Sequence, residues 1–185
     1  MDSENQNFIH GGELKMSSLN EMKEIFDEIV KICEEKTSEY GERGSYFMEP
    51  ATEEEILEWE KLTNIHIPET FREWLKLTAC CRICGTTASY YFPEEEQPEY
   101  IPEDYVEIGE EVGDGEFVCF SKSQGNFITY FEGKVHKEYK DFIEVLKETK
   151  RRAKGELPDL GLTEEKIQAM LLKLEEMKRK KGDNK

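Results

Sequence analysis

The sequence predicts an α+β fold: a twisted, mainly antiparallel sheet with helices packed on one side, and further helices at the N- and C-termini. Apolar residues recur at helical spacing near both ends of the chain, whereas short β-prone runs fill the middle. Turn-forming Gly and Asn residues separate these runs closely. Such short connections join antiparallel strands, because parallel strands need a long crossover.

The first predicted helix runs from Ser18 to about Tyr40. Ser18 and Glu21 have the spacing of a capping box, in which a hydroxyl and a carboxylate accept hydrogen bonds from each other's backbone amides. An apolar stripe follows at helical spacing: Leu19, Met22, Ile25, Phe26, Ile29, Val30 and Cys33. Residues 1–16 lack this periodicity, so we expect them to form a flexible N-terminus.

Two short amphipathic helices are predicted between Thr52 and Leu77. Thr52 and Glu55 have the spacing of a second capping box. Pro68 opens the second helix, at a position where its missing N–H costs nothing. Apolar residues recur at helical spacing in both helices: Ile56, Trp59 and Leu62 in the first, and Phe71, Trp74 and Leu75 in the second, where Thr78 continues the spacing.

The middle of the chain predicts short strands at residues 88–92, 105–108, 116–121, 127–131 and 134–136. A helix from about Tyr139 to Ala153 follows them, and a last helix begins at Thr163. The apolar face of that last helix consists of Ile167, Met170, Leu171, Leu174 and Met177. We therefore expect one domain at residues 17–155 and a C-terminal helical extension at residues 156–185.

The two short helices carry a distinctive pattern, which is completed by two strand segments and the helix near Phe142. The pattern consists of Ile56, Trp59, Glu60, Ile65, Ile67, Pro68, Phe71, Trp74 and Leu75, followed by Ile108–Phe120, Gly125–Tyr130, Phe142 and Leu146. Over roughly residues 50–150 the chain resembles the SUKH superfamily, the group of fungal cell-wall assembly regulators and many bacterial toxin-immunity proteins. The resemblance implies a twisted sheet with helices on one side, and a bacterial immunity protein that neutralises a cognate toxin, often a nuclease.

The chain is strongly acidic, with 42 acidic and 25 basic residues and a net charge of −17. Such a body repels phosphates, which argues against direct binding of nucleic acid, and attracts a basic protein. No apolar run is long enough to span a bilayer, and the polar N-terminus is neither a signal nor a transit peptide. An odd number of cysteines, five, also fits a reducing compartment. We therefore expect a cytoplasmic protein that does not bind membranes.

Cys81-x-x-Cys84, with Cys80 beside it, is the only spacing in the chain that is typical of cysteine chemistry. A structural zinc site usually needs a second ligand pair, which the sequence does not supply. A redox pair usually opens a helix, whereas this motif follows one. The pattern therefore favours ordinary thiols at a helix-to-strand turn. We expect no metal, no cofactor and no catalytic site.

Carboxylates and tyrosines alternate between residues 91 and 111, around the loop Pro93–Pro98. Prolines keep this loop out of a sheet interior, and tyrosines are enriched at protein interfaces. The pattern favours a protein-binding surface and a solvated loop about equally. The candidate partner-binding residues are Glu94, Glu95, Glu96, Glu99, Tyr100, Asp104 and Tyr105.

Three functions agree with the sequence to different degrees. The first is a non-enzymatic immunity protein whose acidic face covers the basic cleft of a toxin, as the resemblance implies. The second is a cytosolic regulatory or scaffold protein of the same fold without a toxin partner. The third, which the missing ligands disfavour, is a redox or metal protein that uses Cys81 and Cys84. A homodimer through the apolar face of the C-terminal helix stays open.

Overall fold

A computed structural model describes residues 6–40, 44–85, 87–111 and 115–156. The helices in this part of the chain are α1 (Gln6–Tyr40), α2 (Glu53–Thr63), α3 (Glu69–Leu75) and α4 (Phe142–Lys154). The strands are β1 (Tyr46–Phe47), β2 (Cys80–Ile83), β3 (Ala88–Tyr91), β4 (Tyr105–Glu111), β5 (Glu116–Ser121), β6 (Phe127–Phe131) and β7 (Lys134–Tyr139).

The strands form one antiparallel sheet in which spatial order follows chain order from β1 to β7. This topology confirms the predicted α+β fold. Glu132 and Gly133 both have positive φ, 47° and 80°, as the tight turn between β6 and β7 requires. The sequence did not predict β1 or β2, because β1 has only two residues and Cys80–Ile83 resembles a turn.

The α2 helix begins as the sequence predicts. Thr52 and Glu55 form the capping box: the Thr52 N–H donates to Glu55 Oε2 at 2.7 Å, and the Glu55 N–H donates to Thr52 Oγ1 at 3.2 Å. Ile56 and Trp59 are buried, whereas Leu62, which shares their spacing, is 62% exposed. The buried stripe ends one turn before the helix does, because Asn64 turns the chain away in a left-handed conformation.

Glu60 and Arg72 hold α2 against α3. Glu60 Oε1 accepts a hydrogen bond from the Ile67 N–H at 2.9 Å and lies 2.9 Å from Arg72 Nη1. Arg72 is buried and also pairs with Glu53. A buried guanidinium is tolerated only when carboxylates pair with it. This ion pair explains why an arginine lies within an apolar helix face.

The face of the sheet that carries α1, α3 and α4 contains the main core. Phe71 of α3 lies with its ring centroid 4.9 Å from that of Phe142 of α4, and Trp74 lies 6.1 Å from Tyr90 of β3. Edge-to-face ring pairs of this kind add about 0.5–1.5 kcal/mol beyond the burial of their area. The helices are therefore packed on one side of the sheet, as predicted. We call this side the helix-covered face.

The opposite face carries a much smaller apolar cluster. Ile101, Cys119 and Ile128 are buried there, and Tyr105, Phe117 and Tyr130 pack against them. Ile101 belongs to the connection between β3 and β4, so this connection, rather than a helix, covers the cluster. We call this side the loop-covered face.

The N-terminal end differs from the prediction, whereas the C-terminal end lies outside the described residues. The first helix begins at Gln6, earlier than the predicted Ser18, so the spacing of Ser18 and Glu21 falls inside a helix instead of capping one. The predicted C-terminal helix lies outside the described residues and stays a prediction. Among the described helices, none combines the length and the apolar character that crossing a bilayer requires.

Candidate protein-interaction surface

The connection between β3 and β4 presents most of the candidate binding residues. We call residues 93–104 the acidic loop. Its carboxylate side chains Glu94, Glu95, Glu96 and Glu99 are exposed, and the Tyr100 ring is 55% exposed. None of these four carboxylates forms an ion pair with another described residue. The loop therefore presents uncompensated negative charge beside an aromatic ring.

Asp104 anchors the end of the acidic loop to the turn after β5. Its Oδ2 accepts hydrogen bonds from Ser121 Oγ at 2.7 Å and from Ser123 Oγ at 2.9 Å. The Ser121 hydroxyl, and then that of Ser123, lowers the pKa of Asp104 below its ordinary value. The Lys122 N–H also donates to the Asp104 carbonyl at 2.8 Å. Asp104 is thus exposed, but its carboxylate is engaged within the protein.

Tyr100 is held by an aromatic neighbour on the sheet. Its ring stacks on that of Phe117 with centroids 4.8 Å apart and an interplanar angle of 25°. Tyr105, the other predicted tyrosine, is half-buried and packs against the small apolar cluster of this face. The two tyrosines therefore differ: the Tyr100 ring stays largely exposed, whereas Tyr105 packs into the apolar cluster.

A pocket of about 380 Å³ lies between the acidic loop and strands β3 and β4. We call it the tyrosine–carboxylate pocket. It is lined by Tyr91, Phe92, Glu94, Gln97, Pro98, Tyr100 and Glu107. Gln97 closes one side: its Oε1 accepts from the Glu107 N–H at 2.6 Å, and its Nε2 donates to the Glu94 carbonyl at 2.9 Å. One amide side chain thereby fixes the loop against β4.

The carboxylate of Glu107 is half-buried in this pocket. The Tyr91 hydroxyl donates to its Oε1, and the Tyr100 hydroxyl donates to its Oε2 at 3.4 Å. Burial raises the pKa of Glu107 above its ordinary value, although both hydroxyls oppose that shift. Burial likewise raises the pKa of Tyr91 and of Tyr100, so both stay protonated as donors at neutral pH. The pocket therefore holds one carboxylate between two aromatic hydroxyls.

A bulge in β4 follows Glu107, and at Gly109 the strand then lies close beside β3. The pairing register shifts between Glu107 and Gly109. A Cβ atom on residue 109 would lie 2.4 Å from the Ser89 carbonyl oxygen, so only glycine fits there. Bulges re-aim the side chains beside them. In the sequence, only the glycine within a strand pattern indicates this bulge.

The carboxylates of β4 do not form one continuous band. Glu107 faces the pocket, whereas Glu111 is buried, only 3% exposed, and pairs with Arg152 of α4. Burial, opposed by Arg152, raises the pKa of Glu111 to about 7. Glu111 therefore belongs to the helix-covered face. It lies near the acidic loop in sequence but not on the same side of the sheet.

A second, more apolar cavity of about 650 Å³ lies where β1 meets the start of α2. Phe47, Pro50, Ala51 and Ala79 line it, together with Phe92, which also lines the tyrosine–carboxylate pocket. The two cavities therefore adjoin at one aromatic ring. This juxtaposition arises from long-range packing that sequence patterns do not reveal.

The cysteines are arranged differently from what their spacing suggests. Cys84 Sγ lies 3.0 Å from Cys33 Sγ of α1, and none of the five cysteines forms a disulfide. Burial raises the pKa of Cys81 and of Cys84 to about 12, which keeps both protonated and unreactive at neutral pH. Within the described ranges, no three His, Cys, Asp or Glu side chains come close enough together to hold a metal ion.

A sequence model of the SMI1 / KNR4 family (SUKH-1) matches residues 50–148, more than half of the chain. The matched range begins just before α2 and ends within α4, so it includes the acidic loop and the tyrosine–carboxylate pocket. Comparison with curated proteins gave no match.

Proposed function

Because the chain belongs to the SMI1 / KNR4 family (SUKH-1), whose members serve generally in protein interaction or immunity, we propose that it is an immunity protein that binds a basic, nuclease-type toxin domain. The protein is not an enzyme in this proposal. It acts by covering the nucleic-acid-binding cleft of the toxin. We expect it to work in the cytoplasm, a reducing compartment that suits five cysteines without a disulfide.

The unpaired negative charge of the acidic loop is the single observation that supports this choice of surface. Its four exposed glutamates are not neutralised by described basic side chains, and Tyr100 lies among them, fixed on Phe117. Uncompensated charge of one sign speeds the encounter with a partner of the opposite sign. Aromatic rings held in place serve as anchors at little cost in conformational entropy. A cleft that binds nucleic acid is necessarily basic, so it complements this loop.

The test begins with capture of a partner on the tagged full-length protein in the native host, followed by association kinetics. Replacing Glu94, Glu95 and Glu96 together with Gln should slow association by about tenfold at low salt, and much less at high salt. A matched control replaces the exposed residues Glu24, Glu54 and Glu58 with Gln, which changes the net charge equally at other places. The control should slow association by less than about threefold, because its charges lie away from the contact.

The captured protein itself distinguishes the two functions that share this fold. A basic nuclease domain whose activity the protein abolishes would support the immunity role. A non-toxic partner that binds the same acidic loop would instead support a regulatory or scaffold role. Association rates that respond to neither salt nor the triple substitution would exclude the acidic loop as the recognition surface.

A further inference from the structure

Unlike three other shielded carboxylates, those of Glu60, Glu111 and Glu148, the half-buried Glu107 carboxylate has no cation beside it among the described residues. Glu60 pairs with Arg72, Glu111 with Arg152, and Glu148 with Lys137 and Arg151. Around Glu107 the described residues supply only the hydroxyls of Tyr91 and Tyr100. Neutral donors satisfy lone pairs but leave the negative charge uncompensated, and such a charge is costly when half-buried. A cation that enters the pocket would remove this cost.

The walls of the pocket suit a flat cation. Three aromatic residues, Tyr91, Phe92 and Tyr100, line the space of about 380 Å³ that Glu107 also lines. Aromatic faces attract guanidinium and ammonium groups, and the attraction grows when water is excluded. A guanidinium is planar, so it can stack on a ring while its edge donates two hydrogen bonds to a carboxylate. An ammonium cannot satisfy both contacts with equal geometry.

The pocket is formed before any ligand arrives. Gln97 ties the loop to β4 through the Glu107 N–H at 2.6 Å, and Phe117 fixes the ring of Tyr100. At the rim lies Glu94, whose side chain is exposed and free to attract a cation from solution. A preformed site loses little entropy on binding, which favours affinity from a single side chain.

We propose that the tyrosine–carboxylate pocket is the receptor site for one arginine side chain of the bound protein, with Glu107 as its carboxylate partner and Tyr100 as its stacking surface. This inference rests on the proposed function, because it assigns the anchor point within the surface that the acidic loop presents. The long-range charge of the loop then governs how fast the partner arrives, and the pocket governs how slowly it leaves.

The probe is N-acetyl-argininamide, titrated into the isotope-labelled full-length protein and followed by NMR. N-acetyl-citrullinamide, which is nearly isosteric but uncharged, is the matched control ligand. We expect saturable shifts of the amides at residues 91–107 with the arginine probe, and binding at least about tenfold weaker with the citrulline probe, since a charged pair contributes more than 1.4 kcal/mol.

Two variants test the residue assignment. Glu107→Gln should weaken binding of the arginine probe by about tenfold or more, and Tyr100→Leu by about threefold. Glu54→Gln is the matched control, because Glu54 is exposed on α2, does not line the pocket and removes the same charge. It should change the affinity by twofold or less. Tyr100 is exposed, so its variant keeps the test valid even if Glu107→Gln fails to fold.

The outcomes separate this inference from the proposed function. Equal binding of both probes, or affinity unchanged in Glu107→Gln and Tyr100→Leu, would overturn the arginine site, whatever the partner is. Arginine binding at the pocket together with a captured partner that is not a toxin would support the site and contradict the proposed immunity role. Faster dissociation of the captured partner from Glu107→Gln, with its association rate unchanged, would support both.

Discussion

The helix-covered and loop-covered faces of the sheet bury their side chains in different ways. The first buries a continuous aromatic core under α1, α3 and α4. The second buries only a small apolar cluster. It consists of Cys119 and Ile128 of the sheet and Ile101 of the irregular connection that covers them. Beside that small cluster it keeps a half-buried carboxylate and a pocket of about 380 Å³.

The difference indicates a division of labour between stability and recognition. A large apolar core supplies most of the folding free energy, since stabilisation scales with the apolar area that is buried. A face covered by a hydrogen-bonded loop needs only enough apolar contact to hold that loop in place. It can therefore retain an uncompensated, half-buried charge, which a core tolerates only when the charge is paired. The substitutions that follow test this difference between the faces, in order of decreasing effect on stability.

The largest effect is expected from Phe71→Ala on the helix-covered face. The Phe71 side chain is fully buried and contacts Phe120, Phe127 and Phe142. Its truncation should lower the free energy of unfolding by about 3–5 kcal/mol, through lost transfer energy and an unfilled cavity. Chemical denaturation measures this quantity. Leu57→Ala, at an exposed position of α2, is the control and should cost less than about 0.5 kcal/mol. An unchanged denaturation midpoint for Phe71→Ala would contradict the assigned core.

Ile101→Ala is the counterpart on the loop-covered face. Ile101 is buried in the three-residue cluster, so its truncation should cost about 2 kcal/mol, at the low end for such a change. The acidic loop can collapse partly into the vacated space, which limits the cavity. A loss as large as that of Phe71→Ala would mean that the two faces contribute equally to stability.

Glu111 should make stability depend on pH between its unfolded and folded pKa values. Its folded pKa of about 7, raised by burial, exceeds its ordinary value of 4.5, so the native state binds the proton more tightly. The stability that this proton contributes is complete below 4.5 and is lost as the pH rises through 7. From pH 5 to pH 8 the wild type should therefore lose roughly 2–3 kcal/mol relative to Glu111→Gln. Parallel curves of unfolding free energy against pH for the two proteins would contradict this assignment.

The smallest effect on stability is expected from the triple replacement of Glu94, Glu95 and Glu96 with Gln. These side chains are exposed and form no ion pairs with described residues, so the free energy of unfolding should change by less than about 0.5 kcal/mol. Thermal and chemical denaturation measure it. A decrease of more than about 1 kcal/mol in the free energy of unfolding is typical of substitutions in a core. Such a decrease would show that the glutamates hold the loop rather than attract a partner.

Local patterns predict the regular part of this fold well. The capping box at Thr52, the strands Glu116–Ser121 and Phe127–Phe131, and the turn at Gly133 each follow from residues close together in sequence. The strands β1 and β2 are not predicted, because their pairing joins Tyr46 to Arg82, and two helices lie between these residues in the sequence. Such contacts depend on tertiary packing, which overrides local propensity.

The candidate site is predicted only in part for the same reason. The charge pattern indicates the exposed glutamates of the acidic loop and Tyr100. It does not indicate that Asp104 is used to anchor the loop, because its partners Ser121 and Ser123 follow in a later turn. Nor does it indicate the pocket, whose carboxylate and closing amide, Glu107 and Gln97, meet only when the loop folds back.

Hydrogen exchange of the protein alone and with its captured partner tests the central claim most directly, because it locates the contact without any substitution. We predict slower exchange at residues 91–107 in the complex, with α1 and α4 unchanged. Protection confined to α1 and α4, with residues 91–107 exchanging at the same rate in the free and bound states, would contradict the assignment of recognition to the loop-covered face.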